Sequence, residues 1–506
     1  MRARKALQNI FSNIILQILV AIIGFIIPRL ILSVYGSAIN GMINSISQFL
    51  AYAGLVEMGI GNASIVALYK PLSDRNWTLV SNIVSTAKKK YYVSGILYTL
   101  VICGVALLYP LIIDRQLDYG FTFFMVIVIG ASNLVDYFIL AKYKILLSAL
   151  QKYYVLNMTR SVSTLLTAVF SALLILNDES LIIVKGVAIL VRVCEACFIR
   201  FYTLYKYEQV HYNTTTSVKI GQQRNSLIHQ LASMVIYNTD LVVLTICLPD
   251  HSLYEISVYT VYALVFGMIT NLIQTLTNGM NSTFGDMIAE GNLEELNHGY
   301  RIYEYSYLIL TFSVYTCFIA LIIPFVRCYT QNITDANYIR PCVGILFGIA
   351  GLTAQIKDAS GTLIVAAGHF KQTQNYIIVE ALLNIIISLL LVKTYGITGV
   401  LAGTIISHVI ANWGYISYAN KVILRKDEKQ TWKRIIRNLL ILTVLAGIEY
   451  RLTKDIAAWG NWTLYGFMIA LINLGVYFSV NIAFEPENYF KLKKYVIAKW
   501  RKDDRL

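Results

Sequence analysis

The sequence predicts an all-α polytopic membrane protein of about 14 transmembrane helices, built as two six-helix bundles around a central cavity plus an extra C-terminal helix pair. Fourteen apolar segments fill the 506-residue chain, each near the ~20 residues that cross a ~30 Å hydrocarbon core. Hydrophobic residues make up 57% of the chain and charged residues only 14%, with a mean hydropathy of +0.61. Lysine and arginine concentrate between the segments, on one side of them. No stretch remains for a sizeable soluble domain.

The segments run over residues 10–34, 40–68, 91–113, 121–141, 153–176, 181–204, 227–248, 255–283, 303–326, 338–367, 375–393, 397–419, 436–453 and 462–484. Of the 42 lysines and arginines, 32 fall in the N-terminus, the C-terminal tail and alternate loops with their flanking turns. The opposite loops hold six, and Arg29, Lys185, Arg192 and Lys357 lie inside segments. Positive charge is retained in the cytoplasm, so both termini are expected there. The net charge of +14 is spread over these loops and reads as topology and anionic-lipid contact, not as a nucleic-acid surface. The basic N-terminus mimics a signal peptide, but Pro28-Arg29 stands where a small-residue cleavage site is needed, so segment 1 is read as a retained helix. The seven cysteines show no disulfide or zinc spacing, and neither metal nor cofactor is expected.

Segment 2 aligns with segment 8 at an offset of 226, matching Gly41-Met42-Ile43 to Gly267-Met268-Ile269 and Gln48 to Gln274. Segment 1 aligns with segment 7, matching Asn13 to Asn225. This internal repeat suggests parallel duplicated lobes. The expected domains are a first bundle at 1–208, a cytoplasmic linker at 209–226, a second bundle at 227–420, and residues 421–506 carrying helices 13–14 with a basic tail.

Polar residues at helical spacing mark faces turned from lipid. Segment 7 carries His229, Ser233, Tyr237 and Asp240; segment 8 carries Asn271, Gln274 and Asn278; segment 2 carries Asn40, Asn44 and Ser47, with Gln48 beside them. Segment 11 offers Glu380, Asn384 and Ser388, and segment 12 offers Thr404, His408 and Asn412. For a single Asn or Ser, hydrogen bonding between packed helices is the simpler reading. Ionised groups are different, because each costs on the order of 3 kcal/mol near the bilayer centre. Glu57, Arg192, Glu195, Asp240, Lys357, Asp358 and Glu380 must therefore be paired, neutralised or hydrated. Arg192 and Glu195 stand three apart and are expected to satisfy each other. Lys357 is the most central cation without a partner on its own helix, and it either meets an anionic cargo or neutralises a carboxylate such as Glu380 or Asp240. Pro28 is expected to bend segment 1 beside Arg29, with snorkelling of Arg29 to the interface as the rival reading. Gly351 and Gly361 are expected to loosen segment 10 around Lys357. The pattern suggests a hydrated cavity with cations facing a negatively charged cargo.

Three motifs resemble those of the polysaccharide repeat-unit flippases (Wzx type) of the multidrug/oligosaccharidyl-lipid/polysaccharide (MOP) exporter superfamily. They are Pro28-Arg29-Leu30 with Tyr35-Gly36; the run Gly54 to Ala63 containing Glu57, Gly59 and Gly61; and Gly368-His369-Phe370-Lys371 with Asn384 and Tyr395-Gly396-Ile397-Thr398-Gly399. The resemblance spans nearly the whole chain. It implies movement of an undecaprenyl-pyrophosphate-linked oligosaccharide from the inner to the outer leaflet of a bacterial cytoplasmic membrane, by alternating access, for capsule, O-antigen or exopolysaccharide export. It also implies membrane lipids, H+ or Na+ coupling, and polymerase or export machinery as partners. Segment 8 departs from the pattern, lacking the proline many relatives carry near its cytoplasmic end. The extra helix pair resembles that of the lipid II flippases, where it forms a groove for the lipid tail.

On this reading Arg29 and Lys357 contact pyrophosphate, since a phosphate leaving water needs cationic donors. Asn44, Gln48, Asn271, Gln274 and Asn278 suit sugar hydroxyls, and Asp240, Glu57, Asp358, Glu380 and His229 are candidates for ion coupling. The rivals are a cation-coupled multidrug exporter of the same superfamily, expected to concentrate acids in its cavity, and a membrane-embedded polysaccharide polymerase or glycosyltransferase. The second needs a large extramembrane catalytic loop, whereas the longest outward loop is about residues 327–337. No catalytic motif is visible, so a transporter and not an enzyme is expected.

Overall fold

The computed structural model describes residues 2–57, 59–113, 116–216, 218 and 224–487, and these contain helices and turns but no strand. Apolar segments must satisfy every backbone group internally in hydrocarbon, which leaves the helix as the solution. The first helix, α1 (Arg2–Ala53), is two crossings joined at Gly36, whose φ of 83° and ψ of 176° interrupt the helix. The expected bend at Pro28 is not where the chain departs from helical geometry: α1 runs through Pro28 and breaks at Gly36, a conformation open in practice only to glycine.

Segment 2 was expected to be one continuous helix. Instead α1 ends at Ala53, a 3₁₀ turn covers Gly54–Glu57, and α2 (Ile60–Ser73) begins after Gly59, itself left-handed at φ 84°. Glycines at 54, 59 and 61 make this break inexpensive.

Next come α3 (Trp77–Ile112), α4 (Tyr119–Val135), a π turn over Asp136–Leu140, α5 (Ala141–Ala149), α6 (Tyr153–Leu176), α7 (Leu181–Lys206) and α8 (Arg224–Cys247). Asn76 and Asp118 cap α3 and α4, accepting from Leu79 N at 3.0 Å and Phe121 N at 2.8 Å. The remainder is α9 (Ser252–Ala289), α10 (Leu293–Tyr329), α11 (Pro341–Ala366), α12 (Phe370–Tyr395), α13 (Ile397–Tyr418), α14 (Lys429–Thr453) and α15 (Trp459–Phe484). Eleven described stretches are long and apolar enough to cross a membrane. One of them, Leu7–Ala53, holds the two limbs of α1, while α7 and α14 fall outside that set because of the charges they carry.

The chain forms two compact units, Met1–Ser257 and Val258–Leu506. In the first, α8 packs on α1 through Ser45–Thr245 and Tyr52–Thr239 hydroxyl pairs at 2.7 and 2.8 Å, and Asn40 donates to Ser257 at 2.8 Å. In the second, α10 is the central post, with α11, α14 and α15 against it. The tightest pair there is α12 with α13, which turn at Gly396 (φ 55°). A Cβ on Gly399 would lie 2.5 Å from Leu391 O, and one on Gly403 would lie 2.5 Å from Ser388 Oγ. This spacing of small residues lets two backbones approach closely.

Gly36→Ala is expected to destabilise the protein by about 1–3 kcal/mol, the cost of forcing a side chain into that backbone geometry. Gly24→Ala, where a Cβ meets no atom within 4 Å, is expected to leave the melting temperature nearly unchanged. Thermal melts of both variants in detergent check the pair.

Candidate functional site

The second unit gathers charge where α11, α12 and α13 meet. Lys357 of α11 forms an ion pair with Glu380 Oε1 of α12, and His408 Nδ1 of α13 lies 2.7 Å from the same oxygen. All three residues are buried. The Lys357 ammonium also stands 5.9 Å from the centre of the Tyr415 ring. The sequence leaves Lys357 to a cargo phosphate or to a carboxylate such as Glu380 or Asp240; in the structure α11 and α12 both pack on α13, which brings Glu380, 23 positions away, onto it.

Around this centre Asn384 donates to Thr404 Oγ1 at 3.0 Å, and Asn412 donates to Thr353 O at 3.0 Å. The stripes of segments 11 and 12 thus face each other and stitch the helices together. Glu380 Oε2, Asn384 Oδ1 and Asn412 Oδ1 are nevertheless buried without a hydrogen-bond donor. Such oxygens have the chemistry to take up a proton or a small cation. Asp358 is half-buried on α11. Gly351 seats against the Tyr315 ring, so its absent side chain serves helix packing.

The first unit holds a second charged centre. Arg192 of α7 donates to both oxygens of Asp136, at 2.7 and 2.6 Å, and to Glu195 at 2.5 Å. Lys144 of α5 lies 2.5 Å from Asp136, and Arg160 lies 3.4 Å from Glu195. The expected Arg192–Glu195 pair is present but is only part of the network. Beside it opens a cleft of about 480 Å³ bounded by Glu57, Asn62, Tyr91, Tyr98, Tyr137 and Lys144, among others.

A third network ties the C-terminal hairpin to α10. Arg434 donates to Glu304 at 2.6 Å and to Glu485 at 2.6 Å, Arg437 donates to Glu485 at 3.0 Å, and Thr431 donates to Glu304 at 2.7 Å. Deeper in the hairpin Asn473 donates to Glu449 at 3.2 Å. An apolar groove of about 290 Å³ lies among α9, α10 and α15, lined by Val265, Leu310, Val314, Phe318, Trp462 and Leu474 with others.

Of the remaining candidates, Arg29, Gln48, His229 and Gln274 are half-buried. Asp240 is buried, Tyr237 on the same stripe is exposed, and Asn271 is exposed. Asn44 donates back to Asn40 O at 2.8 Å within its own helix. The Asn278 side chain lies outside the described residues. The structure brings Lys357 and Glu380 together, with Asp358 adjacent in sequence to Lys357. Glu57 lines the cleft of the first unit.

Asp136, Lys144, Glu304, Arg434 and Glu449 were missed. A fuller scan for charge inside segments finds Asp136 in 121–141 and Glu449 in 436–453. Nothing local in the sequence points to Glu304 as the partner of Arg434, 130 positions away. Among the described residues no three His, Cys, Asp or Glu side chains gather as metal ligands.

No family model matches the sequence, and no curated protein matches it. Solved structures do. The lipid II flippase MurJ, in an inward closed conformation, superposes with a TM-score of 0.69 at 14% identity, over 95% of this chain and 99% of that one. An inward-facing multidrug resistance MATE family transporter of the MOP superfamily gives 0.60 at 13% identity, over 82% and 95%. A MOP superfamily transporter from Pyrococcus furiosus gives 0.51 at 15% identity, over 84% and 94%. The chain shares the many-helix fold of these structures. Within that fold the structural neighbours include both a lipid flippase and multidrug transporters.

Lys357→Gln is expected to destabilise the protein by about 3–5 kcal/mol, because it leaves the Glu380 charge buried and unpaired. Lys357→Gln combined with Glu380→Gln is expected to recover much of that loss, as a thermal-melt double-mutant cycle would show.

Burial works to raise the Glu485 carboxyl, but the hydrogen bonds and charges of Arg434 and Arg437 outweigh it and hold the group below its ordinary value of 4.5. A depressed folded-state value gives stability that is present above the unfolded value and is lost as pH falls through the folded one. Melting temperature is therefore expected to fall as pH drops below about 4.5, and Glu485→Gln to flatten that part of the profile.

Proposed function

We propose that this protein is a flippase that carries an undecaprenyl-pyrophosphate-linked oligosaccharide from the inner to the outer leaflet of a bacterial cytoplasmic membrane by alternating access, serving capsule, O-antigen or exopolysaccharide export. The observation that carries the reading is the hairpin α14–α15 with its apolar groove against α9 and α10. A polyprenyl tail left in the bilayer needs a dry, aliphatic and aromatic surface, and this groove supplies one beside the bundle. Likeness to the lipid II flippase extends over 95% of the chain, against 82% for the inward-facing multidrug transporter. Both termini are assigned to the cytoplasm by the distribution of Lys and Arg.

In this scheme Arg29 meets the pyrophosphate. Lys357 is held by Glu380 at rest and turns to the phosphate when Glu380 is protonated, which links cargo binding to an ion. Asp240, Glu57, Asp358, Glu380 and His229 are the coupling candidates, with the unsatisfied oxygens of Glu380, Asn384 and Asn412 supporting a proton or sodium at Glu380. Asn44, Gln48, Asn271, Gln274 and Asn278 are assigned to sugar hydroxyls. The Lys357–Glu380 pair also favours a second reading, a cation-coupled multidrug exporter, because neutralising Lys357 removes positive charge that an anionic cargo would need.

Proteoliposomes containing an undecaprenyl-pyrophosphate-linked oligosaccharide separate the two. The flippase reading expects protein-dependent appearance of glycan in the opposite leaflet, at least about tenfold slower in the stability-restored Lys357→Gln, Glu380→Gln double variant than in Glu380→Gln alone, and partly retained by Lys357→Arg, since the guanidinium keeps the charge. Asp240→Asn is expected to weaken pH or sodium dependence more than cargo binding. Absence of translocation together with ion-driven export of organic cations would replace this reading by the second.

A further inference from the structure

The cleft of the first unit is not needed for pyrophosphate or for a lipid tail, yet it is built in detail. Its position follows from two breaks in helical geometry. The 3₁₀ turn at Gly54–Glu57 brings Glu57 to its lining, and the π turn at Asp136–Leu140 brings Asp136 and Tyr137 to it as well. Single π turns inside α-helices frequently mark functional sites. Gly61 completes the opening, since a Cβ there would lie 2.9 Å from the Tyr91 hydroxyl.

The lining mixes rings with polar groups. Tyr98 and Tyr137 stack with centroids 5.0 Å apart and an interplanar angle of 29°, and Tyr91 adjoins Tyr137 at 6.4 Å. The same lining carries the carboxylate of Glu57, the amides of Asn62 and Asn133, and Lys144. Asn133 is oriented by donating to the Tyr98 hydroxyl at 2.8 Å. Asp136 has both oxygens held by Arg192 and is not open to a metal. Glu57, Asp136 and Lys144 sum to one net negative charge along the cleft, with the Arg192 charge shared between Asp136 and Glu195. That balance disfavours a phosphate or a uronate.

A neutral ligand rich in hydroxyls, with C–H groups that tolerate tyrosine neighbours, suits a lining of one carboxylate, two carboxamides and tyrosines, and a pyranose ring has that chemistry. We propose that this cleft binds a neutral hexose or N-acetylhexosamine residue, with Glu57 and Asn62 accepting from and donating to ring hydroxyls and with Tyr91, Tyr98 and Tyr137 bordering the sugar. The volume of about 480 Å³ lies within the ~300–1,000 Å³ usual for small-molecule sites. The assignment rests on the flippase reading for the source of the sugar, a residue of the lipid-linked cargo, but its chemistry is independent of that source.

The test is equilibrium binding of glucose, galactose, N-acetylglucosamine and glucuronate to the full chain in nanodiscs by calorimetry, with melting temperatures measured in parallel. Saturable binding of at least one neutral sugar is expected, with glucuronate weaker. Glu57→Gln and Asn62→Ala are each expected to weaken binding about tenfold or more, the scale of a lost hydrogen bond to a charged or well-placed partner, without shifting the melt. Asn62 is exposed, so its variant tests the site without disturbing a core. No saturable binding by the folded protein, or unchanged affinity in both variants, overturns the proposal. So does a Glu57→Gln protein that loses ion dependence but keeps its sugar affinity. Sugar binding without translocation of the lipid-linked oligosaccharide defeats the flippase reading and leaves the site standing; translocation without sugar binding does the reverse.

Discussion

An ionised group cannot be left alone in hydrocarbon, and this constraint organises both compact units. At three places charge enters a helix bundle as a node joining three elements. Asp136 on the π turn, Arg192 and Glu195 on α7 and Lys144 on α5 form one. Lys357, Glu380 and His408 on α11, α12 and α13 form another. Glu304 on α10, Arg434 and Arg437 on α14, and Glu485 after α15 form the third. The first and third balance two acids against two bases. Such nodes add little net stability over an apolar core of the same volume, but removing one partner is costly. They specify which helices meet.

This explains why α7 and α14 are crossings despite their charge. Arg192 and Glu195 cost little in α7 because Asp136 is waiting on the neighbouring element. The low hydropathy of α14 has the same cause: Arg434 is fully buried, yet its guanidinium has carboxylates from two directions. Hydropathy summed along one helix cannot register a partner on another. The helix pattern was nonetheless legible, because length and apolarity are local. Segment 5 coincides with α6 at 153–176, and segments 12 and 14 end within a residue or so of their helices.

What the sequence concealed is equally specific. The break of segment 2 at Gly54–Glu57 lies in a run whose hydrophobicity is uninterrupted, so only the cluster of glycines hints at it. Glu380 and Asp240 were equally open as carboxylate partners of Lys357, because a stripe gives a face and not the helix it faces; the structure pairs the lysine with Glu380. The polar stripes proved to differ in kind: Asn384 and Thr404 bind each other, whereas Tyr237 and Asn271 remain exposed. Identical spacing arose from interhelical bonding in one case and from open surface in the other.

The three nodes also differ in what they leave unsatisfied, and this separates scaffold from candidate machinery. Around Arg434 the carboxylates of Glu304 and Glu485 each receive two or more donors; what is left over there is a donor, Arg437 Nε, and no carboxylate oxygen. Around Lys357 one Glu380 oxygen receives both the lysine and His408 while the other receives no donor. A carboxylate so divided gains a donor when it is protonated, and the lysine then loses its counter-charge. A node whose carboxylate oxygens are all donated to has no acceptor left for a proton or cation, whereas an open oxygen beside a paired lysine supplies one, and differential binding of that kind is what an ion needs to shift an equilibrium.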